Sequence, residues 1–421
     1  MTNFDHPLRS LREGRWFKLI CGASFQHLPA VRNLTLAYAL AGADCIDVAA
    51  DPAVIAIAQA ALDTASQMAI TAQHPALAWR GRPWLMVSLN DGEDPHFRKA
   101  EFNPALCSPD CPRPCETICP AQAIVFKQPV FGQPAFEQSV FERVLEQPQQ
   151  NQAEQFSGVI DARCYGCGRC LPICPIQQIT TRAHVFTPEA IAPLVLQAGV
   201  DALEIHTQVD RLADFQRLWR AIAPWSGQLK LLAISCPDGE GLIDYLWSIY
   251  ETISPLTCAL VWQTDGRPMS GDIGDGATRA AVKLGQKVLA ANLPGFVQLA
   301  GGTNRHTVAK LTSLGLLAAQ TPNSNTPDHK HIAGVAYGSY ARVLLSPVLD
   351  QLENLALPAD ERTLDAIALA EAQPQFLQLE TQPALLWQAV ELARSLVGQL
   401  KSPFALNQPL LSETSAVNSI F

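Results

Sequence analysis

Eight of the chain's twelve cysteines crowd into two short runs, one with the spacing of iron-sulfur ligands and one an imperfect match to it. The second run, Cys164-Tyr-Gly-Cys167-Gly-Arg-Cys170-Leu-Pro-Ile-Cys174-Pro, reads C-x2-C-x2-C-x3-C-P, the bacterial ferredoxin pattern. Closely spaced thiolates wrap three corners of one cubane, Gly166 and Gly168 let backbone N–H groups approach the sulfurs, and Pro175 turns the fourth cysteine away. In two-cluster ferredoxins that fourth cysteine serves the other cluster. The first run, Cys107-x3-Cys111-x3-Cys115-x3-Cys119-Pro, keeps the final x3-C-P but is one residue wider in each earlier interval.

The crossover assigns Cys119, Cys164, Cys167 and Cys170 to one cluster, of the 4Fe-4S type, and Cys107, Cys111, Cys115 and Cys174 to another. Pro109, Pro112 and Pro114 stiffen the first run, and displacement of Cys107 or Cys111 would leave a 3Fe-4S cluster, or a site with one open iron, in place of a complete 4Fe-4S. Zinc is the competing ligand, but its sites usually show two well-separated cysteine pairs rather than four cysteines in so short a run. Cys21, Cys45, Cys236 and Cys258 lie in or beside apolar runs, where cysteine behaves as a small buried hydrophobe. Cys21 and Cys236 fall at the C-terminal ends of predicted strands.

Something must hold these runs in place. Apolar stretches at 16–22, 44–50, 83–90, 202–208, 229–236, 257–263, 296–300 and 331–337 read as strands buried on both faces, the signature of a parallel sheet. Helical periodicity follows at 29–41, 52–69, 188–199, 210–223, 240–253, 276–292, 304–315 and 340–356. Eight such units predict an α/β chain closed as a (β/α)8 barrel, with an open doubly wound sheet as the alternative. Residues 91–186, between the third strand and its helix, far exceed the ~2–6 residues of an ordinary βα loop and form an inserted ferredoxin-like iron-sulfur domain. The expected domains are a discontinuous barrel over 1–90 and 187–356, this insertion, and a C-terminal helical extension and tail over 357–421. Residues 128–156 are rich in Gln and Pro and are expected to loop over the surface.

An insertion in a βα loop emerges on the catalytic face of a barrel, so the clusters should overhang its mouth. Strand ends there supply Ser88, Asn90, Glu204, His206, Gln263, Asp265 and Arg267, although any one of them serves more often as a satisfied neighbour than as a reagent. After the seventh and eighth strands, Gly301, Gly302 and Thr303 and then Gly338 and Ser339 lead into helices. These are the two loops where barrels often bind phosphate, so a phosphate ligand or FMN is a candidate, with plain turns as the alternative.

The chain of 421 residues is 48% hydrophobic and 16% charged, enough to bury a sizeable core. Its net charge of −9 offers no general attraction to nucleic acid or anionic lipid. Neither a secretory leader nor an apolar run of the ~20 residues needed to span a bilayer is read, so a cytoplasmic location without a membrane span is expected.

The segments SLREGRWFKLICGASFQHLPAVRN, AGADCIDVAADPAVI, VQLAGGTN and GVAYGSYARVLL, with the two cysteine runs, resemble the light-dependent period family of cyanobacteria, iron-sulfur proteins of circadian clock input. The resemblance implies a redox sensor, an electron-accepting regulator rather than an enzyme, that adjusts clock period to light and works with clock input kinases. An electron donor or a quinone would complete such a system. Two other function classes stand beside it: an iron-sulfur flavoprotein oxidoreductase acting at the barrel mouth, and an interaction protein whose clusters are folding staples. No nucleophile and general-base pair is readable, and the widened first run leaves the type of one cluster open.

Overall fold

In each of eight strands the side chains alternate between a packed barrel interior and an equally packed layer of helices, which is why the runs are largely apolar on both faces. The computed structural model describes residues 6–22, 27–92, 98–108, 110–119, 123–126, 157–160, 164, 170–183, 188–266, 276–318, 331–356 and 377–401. The barrel strands are β1 (Trp16–Ile20), β2 (Cys45–Ala49), β3 (Trp84–Asn90), β8 (Ala202–His206), β9 (Leu231–Pro237), β10 (Ala259–Asp265), β11 (Phe296–Ala300) and β12 (Ile332–Tyr337). All pair in parallel with their neighbours, and β1 pairs with both β2 and β12, closing the ring. The eight predicted strands are all present and the barrel, not the open sheet, is the fold.

The helices that return the chain are α2 (Leu28–Leu40), α3 (Pro52–Thr71), α6 (Pro188–Leu196), α7 (Leu212–Ile222), α8 (Leu242–Ile253), α9 (Thr278–Ala290), α10 (Thr307–Ser313) and α11 (Ser339–Ala356). Helix α3 has the length and hydropathy of a membrane span, but it joins two adjacent strands of one barrel and buries Val54, Ile55, Ala58, Ala61 and Leu62 in the outer layer. Asp51 starts it by accepting the Ala53 N–H at 2.9 Å.

Two helices lie outside the barrel repeat. Helix α1 (His6–Arg12) sends Leu11 into the lower barrel cluster of Trp16, Cys45, Trp84, Met86, Leu231 and Val261. Helix α12 (Pro383–Lys401) packs on α11 and α2. A buried Lys401–Asp44 ion pair and an Arg32–Glu380 pair fasten it.

The insertion leaves the barrel after β3 and returns before α6. Its entry and exit pair as a two-stranded antiparallel stalk, β4 (Arg98–Glu101) with β7 (Thr180–Ala183). Between them lie the short elements α4 (Pro114–Ile118), β5 (Ile124–Val125), β6 (Gly158–Val159) and α5 (Cys170–Ile173), with β5 and β6 paired. The Gln/Pro-rich stretch 128–156, Cys167, Arg267 and the tail beyond 401 lie outside the described residues.

Candidate metal centre and barrel mouth

The two cysteine runs, separated in sequence by more than forty residues, meet because the stalk and the α4–α5 packing bring their ends together. Cys107, Cys111, Cys115 and Cys174 line one cavity of about 180 Å³, walled by Phe102, Phe126 and Ile179. This grouping is the crossed set read from the sequence. Among the described residues no cysteine is disulfide-bonded. Among the described residues no three His, Cys, Asp or Glu side chains close around the point a single ion would occupy. A cavity of that size with thiols on its walls and apolar rings between them is a cradle for a polynuclear group, and the donor set fits iron-sulfur chemistry.

Backbone N–H groups point at the sulfurs. Cys119 Sγ accepts from Ala123 N–H at 3.2 Å, Cys164 Sγ from Ala100 N–H at 3.4 Å and Cys174 Sγ from Gln178 N–H at 3.4 Å. Burial pushes the Cys174 thiol up, but the N–H groups of Gln178, Ile179, Ile176 and Gln177 outweigh it and hold the thiol below its ordinary value. Cys115 goes the other way, pushed up to about 11 by burial. Cys119, Cys164 and Cys170 lie in the same insertion, the last two buried.

Of the four remaining cysteines, Cys21, Cys45 and Cys236 are buried in the core and Cys258 is half-buried against it. Burial pushes Cys21 and Cys236 up to about 12 and Cys258 up to about 11, and raises Cys45 as well, so all four stay protonated thiols.

Above the apolar floor, the upper half of the barrel interior is polar. Lys18 of β1 reaches Asp47 Oδ2 at 3.0 Å, an ion pair without hydrogen-bond alignment, and donates to Glu204 Oε2 and to Gln263 Oε1 at 3.0 Å. Gln263 Nε2 donates to Glu204 Oε1 at 2.8 Å, Gln298 Nε2 to Gln263 Oε1 at 2.6 Å, and Trp16 Nε1 to Gln298 Oε1 at 2.6 Å. Ser88 Oγ donates to Asp47 Oδ1 at 2.8 Å and Ser235 Oγ to Asp265. His206 Nε2 stands 3.1 Å from Glu204 Oε1 at the mouth end, its side chain 30% exposed. Burial alone would push the Lys18 ammonium down, but Asp47 and Glu204 more than reverse this and hold it above the ordinary lysine range. Burial raises Asp47 and Asp265, against the pull of Lys18 on the first and of His206 on the second.

Of the polar set read from the sequence, Ser88, Glu204, His206, Gln263 and Asp265 therefore join one network, while Asn90 stands exposed at the end of β3. Sequence reasoning missed Lys18, Asp47 and Gln298, the centre of that network. Their signal was present as one polar residue at the third position of a strand otherwise apolar, WFKLI, CIDVA and FVQLA.

At the glycine loops, Gly301 and Gly302 take φ of +60° and +93°, and a Cβ on Gly302 would sit 2.9 Å from Ala277 O. Thr303 Oγ1 is spent on Ala336 O at 2.6 Å, a structural bond. Beside Gly338, Ser339 Oγ accepts from Arg342 Nη2 at 3.1 Å, and Arg342 Nη1 donates to the carbonyls of Ile20 and Cys21 at 3.0 and 3.3 Å. A cation thus stands where β1 and β12 end, next to the start of α11.

Residues 107–185 match the family described as the LdpA Fe-S cluster-binding domain, and residues 194–399 match the Light dependent period A C-terminal domain. The second match holds only five of the eight barrel strands, so the barrel is completed by β1 to β3 from the N-terminal part. A relative named Light dependent period A, from Synechococcus elongatus, is 47% identical over 395 residues, covering 94% of each chain. A solved structure of a candidate fructose-1,6-biphosphate aldolase from Coccidioides immitis covers 95% of this chain and 98% of its own, at 9% identity and a TM-score of 0.34. That likeness is too slight to bear on function; the barrel is established by its strand order.

Proposed function

The chain belongs to the light dependent period A family, and from that premise we propose that it is a cytoplasmic iron-sulfur redox sensor that relays cellular redox and light state to circadian clock input. The observation that carries this reading is the cavity on which Cys107, Cys111 and Cys115 meet Cys174 of the other run. Those four would hold one cluster, of 4Fe-4S or 3Fe-4S type, and Cys119, Cys164, Cys167 and Cys170 a 4Fe-4S cluster. Such groups supply one-electron chemistry when bound. The chain's own part is to direct N–H dipoles at the sulfurs and to keep water off with Phe102 and Phe126, both of which tune a cluster's potential. Electrons would arrive from a donor protein or a quinone, and clock input kinases are the partners to be informed.

The test is an anaerobic preparation analysed for iron and labile sulfide, titrated potentiometrically under electron-spin detection, then used to capture partners from a cyanobacterial lysate. Two clusters and a partner set that changes on reduction are expected. Zinc without labile sulfide would end the cluster reading; an identical partner set in both redox states would end the sensor.

A second reading, an oxidoreductase working on a small ligand or FMN at the barrel mouth, is favoured by the polar upper layer. Burying Lys18, Asp47 and Glu204 together gains little stability over apolar packing, so the arrangement calls for another reason. Extractable flavin, or turnover by reduced protein whose partner set does not change, would transfer the assignment to it.

A further inference from the structure

Consecutive residues of the stalk strand β4 face two different domains. The N–H of Ala100 donates to Cys164 Sγ, while the side chain of Lys99 runs into the barrel rim and pairs with Asp51 at 3.2 Å. Lys99 is 1% exposed and Asp51 0%. Such burial is costly for both charges, and apolar side chains of similar volume would hold stalk to barrel as well. Asp51 is held in place by its other duty: one oxygen caps α3 through the Ala53 N–H, which leaves the second oxygen aimed at the ammonium.

We propose that Lys99, seated on Asp51, is the residue that sets the reduction potential of the cluster held through Cys164. The proposal rests on the reading of Cys164 as a cluster ligand. A fixed ammonium one residue from the N–H that binds the sulfur favours the more negative, reduced cluster, and water cannot screen it because the pair is buried. Asp51 opposes part of that field and, more importantly, fixes its distance. The cavity of Cys107, Cys111, Cys115 and Cys174 is lined by neither residue. Its cluster should therefore respond less to the pair than the one held through Cys164.

The test is potentiometry under electron-spin detection on the full chain with its clusters, comparing parent, Lys99→Met, Lys99→Arg and Asp51→Asn. A unit charge about 10 Å away at an effective dielectric of about 20 changes the oxidised-to-reduced ratio at fixed potential roughly tenfold, about 59 mV for one electron. Lys99→Met should move one cluster that far toward the oxidised form, Lys99→Arg should match the parent, and Asp51→Asn should move the same cluster the opposite way. Asparagine also caps helices, so the last variant keeps α3 and stands as a test even where Lys99→Met does not fold. Unmoved potentials, shifts of one sign in both charge-changing variants, or equal shifts of both clusters would overturn the assignment. A parent chain that takes up neither iron nor sulfide would instead defeat the ligand reading beneath it.

Discussion

Lys18 Nζ lies 3.0 Å from Asp47 Oδ2 with neither side chain more than 2% exposed, and the same ammonium is bonded to Glu204, which is wholly buried. One cation thus separates two carboxylates inside a barrel, and its removal leaves them facing each other without water. Lys18→Met is expected to cost about 3–5 kcal/mol, the usual penalty for orphaning buried charge. Adding Glu204→Gln should restore a large part of this. Denaturant unfolding of the anaerobic protein reads both values, and a cost below about 1 kcal/mol for Lys18→Met would show that the carboxylates do not rely on it.

Asp265 gives a pH dependence of definite sign. Burial raises its folded-state pKa above 3.8, so the folded chain binds a proton more tightly than the unfolded one, and stability falls as pH rises through the window above 3.8. Glu204 adds to the rise, while His206, Lys18 and the Ser235 hydroxyl oppose it. Asp265→Asn keeps an oxygen for Ser235 and loses the charge. It should be more stable than the parent near neutral pH, with the advantage shrinking as the pH is lowered. Melting temperatures taken across that range would contradict the assignment if the advantage grew toward acid.

The barrel was legible in the sequence because strands buried on both faces need long apolar runs, and runs such as LKLLAISC and TCALVWQ announce themselves. That Cys174 would meet Cys107, Cys111 and Cys115 was legible because ferredoxin spacing sends its fourth cysteine to the other run. Lys18 and Asp47 were not, since a lone charge in WFKLI or CIDVA looks like noise until its partner on another strand is known. The stalk was hidden for a related reason. Arg98–Glu101 and Thr180–Ala183 are short and polar, and what makes them strands is their pairing with each other across the whole insertion.

The anion reading of the glycine loops has a sharper variant than a change at Gly302, where φ of +93° and the Ala277 carbonyl penalise any side chain. Gly338 has room: the nearest atom to a Cβ there is Arg342 Nη1 at 3.6 Å. Gly338→Asp would place a carboxylate against that guanidinium and fill the position an anion would take. Calorimetry should show FMN or inorganic phosphate binding to the parent and at least tenfold weaker binding to the variant, about 1.4 kcal/mol. A parent that binds neither leaves the loops as turns.

Replacing single cysteines separates ligands from core. Cys174→Ser should empty the cavity it shares with Cys107, Cys111 and Cys115, and Cys167→Ser should remove the other cluster, each leaving roughly half of the parent's iron and labile sulfide. Cys258→Ser is the control. Its thiol, pushed up to about 11 by burial, is half-buried just before β10 in the barrel wall, remote in the fold from the stalk, so iron and sulfide should stay at the parent level. Electron-spin spectra of the reduced variants then distinguish the two cysteine sets, since each loss should delete a different signal. If Cys174→Ser and Cys167→Ser deleted the same signal, the two cysteines would serve one cluster, and the crossover that joins the runs would be wrong.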